Sequence, residues 1–174
     1  TKKEIQFIKK SCNYADKLLQ KTISNFNNFK TESEVAAFLE YETKKLGLDL
    51  SFNPIIASGN NGSMPHHEPS NIKIKNGFCV IDFGVKYKGY CSDMTRTVSV
   101  GNPPKKEKEM YALLLRIQNG CIGLVKDKIK CAELYDYTAK ELGKYAKYFT
   151  HGLGHGVGVE IHEIPNLKPK SHDI

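Results

Sequence analysis

Two carboxylates and five of the six histidines are the side chains best suited to chemistry in this sequence. Asp82 and Asp93 lie eleven positions apart, in a stretch running from Val80-Ile81-Asp82-Phe83 to Ser92-Asp93-Met94-Thr95-Arg96-Thr97. The flanking residues favour two short strands, and Lys86-Tyr87-Lys88-Gly89 supplies the glycine-containing connection of a hairpin. With the turn centred between Tyr87 and Lys88, Asp82 faces Asp93 across the ladder, with Cβ atoms roughly 4.5–5.5 Å apart. Two ionised carboxylates that close repel unless one takes a proton or a cation lies between them. The pair therefore predicts a bound cation. Each aspartate alone has a plainer use, since Asp beside Gly serves turns and Asp93 can bond local amides. Against that, Asp82 ends the apolar run Phe78-Cys79-Val80-Ile81, where a carboxylate is costly without a partner.

The histidines fall in two glycine-rich stretches: His66 and His67 after Ser58-Gly59-Asn60, and His151, His155 and His162 around Gly152, Gly154, Gly156 and Gly158. The 151/155 spacing would suit a helical zinc motif, but four glycines in the eight residues 151–158 exclude a helix. Glycine instead lets backbone approach a ligand closely and permits positive φ where the chain turns. Imidazole nitrogen with carboxylate oxygen suits a hard to borderline divalent ion. Asp82, Asp93 and His155 form a coherent ligand set on those grounds, while His67 and His172 read as ordinary packed or surface residues.

Helices and strands must position these groups. Ile5, Ile8, Cys12, Ala15, Leu19 and Ile23 recur at helical spacing, followed by the polar break Ser24-Asn25-Phe26-Asn27-Asn28. A second helix is predicted over about 31–46, opened by the capping-box pattern Thr31-Glu32-Ser33-Glu34 and stopped by Gly47. Phe52–Ser58 reads as a strand, 59–71 as a loop, and a strand near Thr95–Val100 completes this half. Pro103-Pro104 begins a third helix carrying Met110, Leu113, Leu114, Ile117, Cys121 and Leu124. A fourth is predicted over about 131–145, with Leu134, Thr138 and Leu142 on one side, and Tyr148-Phe149 and Val159-Glu160-Ile161 are predicted as short strands. Two helices and then strands, twice over, predict an α+β domain with two related halves and no dividing linker.

Composition narrows the classes. The 174 residues suit one core. No apolar run approaches the roughly 18 residues needed to cross a bilayer, and no leader pattern opens the chain, so a cytosolic protein is expected. Five cysteines without C-x-x-C spacing exclude a thiolate zinc site and predict reduced, mostly packed thiols. The net charge of +7 is spread over dispersed lysine pairs with no stripe interleaved with aromatics, which speaks against nucleic acid. Thr1 opens directly on helical sequence and Ser171-His172-Asp173-Ile174 carries no stop signal, so part of a longer protein is expected.

Asp82-Phe83-Gly84, Ser92-Asp93-Met94-Thr95-Arg96-Thr97, His151-Gly152-Leu153-Gly154-His155-Gly156 and His162-Glu163-Ile164-Pro165, with Ser58-Gly59-Asn60 and Pro65-His66 upstream, together resemble the pita-bread metallopeptidases. The wording is that of the Xaa-Pro aminopeptidase and Xaa-Pro dipeptidase (prolidase) branch, and the resemblance covers almost the whole chain. It implies an α+β pita-bread fold lacking its C-terminal part and the branch's N-terminal domain. It also implies a dinuclear site of two divalent ions, Mn or Co first and Zn or Fe also suited, with Asp82 on one ion, Asp93 bridging both and His155 on one. His66 and His162 match histidines at the reacting carbonyl, His151 matches one lining the pocket beyond the scissile bond, and Glu163 is not a ligand. Two further glutamate ligands, one acting as general base, belong downstream of Ile174, so the chain by itself is expected to bind metal weakly and turn over little. The implied substrates are short peptides with proline in second position; a homodimer is left open.

Three alternatives stand beside this reading. A methionine-aminopeptidase-like enzyme shares fold and ligands but not the Ser-Asp-Met-Thr-Arg-Thr wording. A peptidase-fold binding module without catalysis would need no metal ligands, and these are intact. A two-carboxylate glycosidase would explain the aspartate spacing, but neither the histidines nor the absence of tryptophan.

Overall fold

A computed structural model describes residues 1–174, in the order α1 (Lys2–Ser24), α2 (Glu32–Lys45), β1 (Asp49–Leu50), β2 (Ile55–Ser58), β3 (Gly77–Phe83), β4 (Val85–Tyr87), β5 (Tyr90–Cys91), β6 (Met94–Val100), α3 (Lys105–Leu124), α4 (Cys131–Leu142), β7 (Gly154–Gly156) and β8 (Glu163–Leu167). Short 3₁₀ turns lie at Phe26–Asn28, Gly59–Ser63 and Gly143–Tyr148. The chain divides into two compact units. Residues 1–104 and 158–161 form the first, 105–157 and 162–174 the second.

In the first unit α1 starts on a Thr1 cap whose hydroxyl accepts from the Glu4 amide, which ties down the first turn's otherwise unsatisfied N–H groups. The buried face of α1 is Ser11, Ala15, Leu18, Leu19 and Thr22, which keeps Ala15 and Leu19 of the predicted stripe but not its ends; Cys12, Ile5 and Ile23 are exposed. Hydrogen bonding explains the difference. Ser11 Oγ donates to the Val85 carbonyl and Thr22 Oγ1 to the Leu18 carbonyl, so both hydroxyls are satisfied inside. α2 follows its predicted span, with Thr31 Oγ1 accepting from the Glu34 amide. Both helices cover the antiparallel sheet β2-β3-β6 and the small sheet β1-β4-β5. Leu18, Leu19, Val35, Leu39, Ile56, Cys79, Ile81, Phe83 and Val85 make the core between them.

The hairpin from Gly77 to Val100 turns one residue later than predicted. Lys88 and Gly89 have φ of 53° and 85°, the two positive values of a type I′ loop. Tyr87 then pairs with Tyr90 and Lys86 with Cys91. The same register carries down β3 and β6, so Asp82 lies opposite Thr95 and Phe83 opposite Met94. Asp93 falls in the break between β5 and β6 and does not face Asp82. The glycine decides this, because it has to occupy a left-handed position inside the turn, not flank it. The strand expected near Thr95 is the return arm of this hairpin. Opposite the break stands Gly84, where a Cβ would come 1.7 Å from the Ser92 carbonyl oxygen.

In the second unit α3 packs on α4, and α4 on β8. α4 buries Cys131, Leu134, Thr138 and Leu142 as its spacing predicts, whereas α3 buries only Ile117 and Cys121, with Leu114 and Leu124 exposed. The predicted strands at Tyr148-Phe149 and Val159–Ile161 are not formed. Tyr148 ends a 3₁₀ turn, and the strands are β7 and β8, within and after the glycine block. Backbone approach, not side-chain propensity, sets them: at Gly156 a Cβ would meet the Ile164 carbonyl oxygen at 2.3 Å.

Candidate active site

Four of the five cysteines are buried and all are free thiols, and burial, then the Glu32 charge, push the Cys79 thiol up to about 12. None resembles an activated nucleophile. Chemistry falls to the carboxylates and imidazoles.

Asp82 sits on β3, half-buried, on the face alternating with the buried side chains of Cys79, Ile81 and Phe83. Its Oδ1 is closed off from solvent. Asp93 is exposed, directly after buried Ser92. Ser92 fixes the local backbone: its amide donates to the Val85 carbonyl at 2.9 Å, and its hydroxyl accepts from the Val85 amide at 3.0 Å. The hairpin break that carries Asp93 is therefore defined on both sides.

In the second unit, the bulge between His155 and Gly156 and the β7–β8 pairing bring His155 beside His162, ring centroids 4.4 Å apart at 62°. His155 Nδ1 lies 2.9 Å from the Gly156 carbonyl. A carbonyl only accepts, so Nδ1 carries the proton and the neutral ring's lone pair sits on Nε2, as a metal-ligating histidine requires. His151 makes the same contact with the Gly152 carbonyl at 2.7 Å. It closes an aromatic series: Tyr135 stacks on Phe149 at 5.2 Å, and Phe149 meets His151 edge-on at 4.9 Å. His151 and His162 are exposed and His155 is half-buried.

A carboxylate oxygen withdrawn from water on Asp82, a second carboxylate and an imidazole with its tautomer fixed fit a divalent ion by donor chemistry. No group of three or more His, Cys, Asp or Glu side chains is gathered in the geometry of a metal cage. The structure joins His155 with His162, and does not pair Asp82 with Asp93 across the ladder.

His66 and His67 separate. His66 is exposed. His67 turns inward, its Nε2 2.8 Å from Glu32 Oε2, in keeping with its reading as a packed residue. Glu32, fully buried at the start of α2, also accepts from the Ser58 amide and hydroxyl, Asn61 Nδ2 and Ser70 Oγ. Burial raises its pKa, and the bonds from Asn61, His67 and Ser58 more than reverse this, leaving it at about 2. Sequence reasoning missed Glu32. It appeared only as an acidic first-turn residue inside the Thr31/Glu34 cap pattern; the polar Ser58, Asn61, His67 and Ser70 were the signal that a buried acceptor serves the loop.

The chain belongs to metallopeptidase family M24, which its residues 6–174 match. It is 42% identical over 172 residues to the Xaa-Pro dipeptidase of Pyrococcus furiosus, covering 96% of this chain and 49% of that protein. The prolidase of Thermococcus sibiricus superposes with a TM-score of 0.94 at 38% identity, over 100% of this chain and 49% of that one. An X-Pro aminopeptidase from Thermotoga maritima gives 0.91 at 31% identity, over 98% and 50%. The fold is thus the α+β pita-bread fold, and the chain spans about half the length of the relatives it matches. No helix is long and apolar enough to cross a membrane.

Proposed function

We propose that the protein hydrolyses the peptide bond between an N-terminal residue and proline, as a dinuclear metal-dependent Xaa-Pro dipeptidase or aminopeptidase. The observation that carries this is the similarity to proteins of that description along nearly the whole chain, 42% identical in the Pyrococcus furiosus dipeptidase, with all six motif residues present. Asp82, Asp93 and His155 are the proposed ligands from this chain. Two divalent ions, Mn or Co first, would supply an acidified water and polarisation of the substrate carbonyl when bound. Asp82 offers an oxygen already withdrawn from water, and the Gly156 carbonyl holds His155 in the ligating tautomer.

His162, packed edge-on against His155, and the exposed His66 donate to the carbonyl oxygen as it gains charge. Losing one such donor typically costs about 10²–10³ in rate. His151 borders the proline side, held by its Gly152 contact and by Phe149. The test is cleavage of an Xaa-Pro dipeptide and an Xaa-Pro-containing tripeptide by the full-length protein with Mn²⁺ or Co²⁺. Hydrolysis of either supports the reading, and which one is cut separates dipeptidase from aminopeptidase; folded, metal-loaded protein that cuts neither overturns it.

A further inference from the structure

Glu32 gathers donors from one segment only. Oε1 accepts from the Ser58 amide at 2.8 Å, Ser58 Oγ at 2.9 Å and Asn61 Nδ2 at 3.0 Å, and Oε2 from His67 Nε2 at 2.8 Å and Ser70 Oγ at 3.3 Å. These donors bracket Pro65-His66 on both sides. The backbone adds to the hold: the Ser33 amide donates to the Ser70 carbonyl at 3.0 Å and the Glu32 amide to the Ile72 carbonyl at 3.3 Å, while the His67 amide closes a turn onto the Met64 carbonyl at 3.2 Å. The side chain of Glu32 is 0% exposed and that of His67 is 10% exposed, whereas neighbouring His66 is exposed. A carboxylate at a helix N-terminus is favoured by the helix dipole. Charge-assisted hydrogen bonds are about twice as strong as neutral ones.

We propose that Glu32 is a positioning residue for the hydrolytic reaction: through His67 it fixes the 58–70 loop so that the preceding residue, His66, is presented to the substrate carbonyl. This rests on the reading that His66 works at that carbonyl. His67 is then the anchor of the histidine pair and His66 the working member, with adjacent residues divided between inside and outside. A purely structural carboxylate would close the same loop, but its loss would lower stability without changing turnover by the folded fraction. A positioning role acts on the chemical step, where a displacement of about 1 Å can cost about 10²-fold.

The test compares wild type, His67→Ala, His67→Gln and Glu32→Gln in the full-length, metal-loaded protein. His67→Ala is expected to lower kcat about 10- to 100-fold, leaving KM and bound metal unchanged. His67→Gln keeps a donor toward Glu32 and is expected to recover most of the loss. Amide hydrogen exchange over 59–70 should speed up in His67→Ala and not in His67→Gln. Glu32→Gln, if it folds, should match His67→Ala, and the double variant should add little further. Wild-type kcat in folded His67→Ala overturns the proposal, as does a His67→Gln no better than the alanine variant. Should wild type cleave no Xaa-Pro peptide, the functional reading has failed; unchanged exchange in His67→Ala would then sink the clamp separately, and faster exchange would support its hold on the loop.

Discussion

Glu32 is fully buried, whereas Asp82 is half-buried with its Oδ1 closed off from solvent. Glu32 is met by amide, hydroxyl, carboxamide and imidazole donors, and these hold its pKa near 2 against the usual 4.5 despite burial. Its native form therefore binds a proton less readily than the unfolded chain does. The stability this contributes is present above about pH 4.5 and is lost as the pH falls through the native value near 2. Wild type should accordingly lose urea stability between about pH 4.5 and 2 more steeply than Glu32→Gln, measured as the denaturation midpoint across that range. Parallel pH profiles for the two would show that the Glu32 carboxylate is not held ionised by the loop. The polar loop signals a buried acceptor, but its partners lie about 26–38 positions from Glu32, and no local pattern says which carboxylate closes a distant loop. Asp82, Asp93 and His155 stand out in the sequence as candidate ligands because their glycine and strand contexts are themselves unusual for polar side chains.

At the scale of elements, helices were read better than strands, for a physical reason. The Thr31 cap and the 131–142 spacing are local and specify α2 and α4 directly. Strand register depends on one turn, and a single residue's difference in where Gly89 sits moved Thr95 opposite Asp82 in place of Asp93. β7 was missed because glycine carries no strand propensity; what forms it is the close backbone approach that only glycine allows. Gly84 tests the hairpin. A methyl group there would fall 1.7 Å from the Ser92 carbonyl oxygen, in a break whose backbone is fixed by Val85 and Ser92. Gly84→Ala should destabilise by at least the 1–3 kcal/mol or so typical of overpacking, seen as a lower thermal midpoint. It should also weaken metal binding, because Ser92 precedes Asp93. A thermal midpoint equal to wild type would mean that the break relaxes freely and does not define where Asp93 stands.

For the molecule as a whole, the second predicted half opens at Pro103-Pro104, beside the division of the units at Lys105, whereas the later crossing of the chain was hidden in the sequence. Gly158–Ile161 returns to the first unit, where Cys91 receives it: its amide donates to the Gly158 carbonyl at 2.7 Å and its thiol contacts the Val159 carbonyl at 3.4 Å. No composition shift accompanies such a crossing, so no linker could announce it. The proposed ligand His155 lies far along the sequence from the other two, Asp82 and Asp93. An ion that needs all three binds the folded chain and not the unfolded one, so its binding adds to stability by mass action, about 2.7 kcal/mol when free metal is 100 times Kd. Chelation should therefore lower the thermal midpoint of the full-length protein, and excess Mn²⁺ should restore it. Asp93→Asn exchanges a charged oxygen ligand for a weak neutral one. Its midpoint should be nearly insensitive to both treatments, and its metal content after desalting should fall with respect to wild type. A wild-type midpoint indifferent to chelator, or an Asp93→Asn protein that keeps both the metal and the shift, would remove Asp93 from the ligand set.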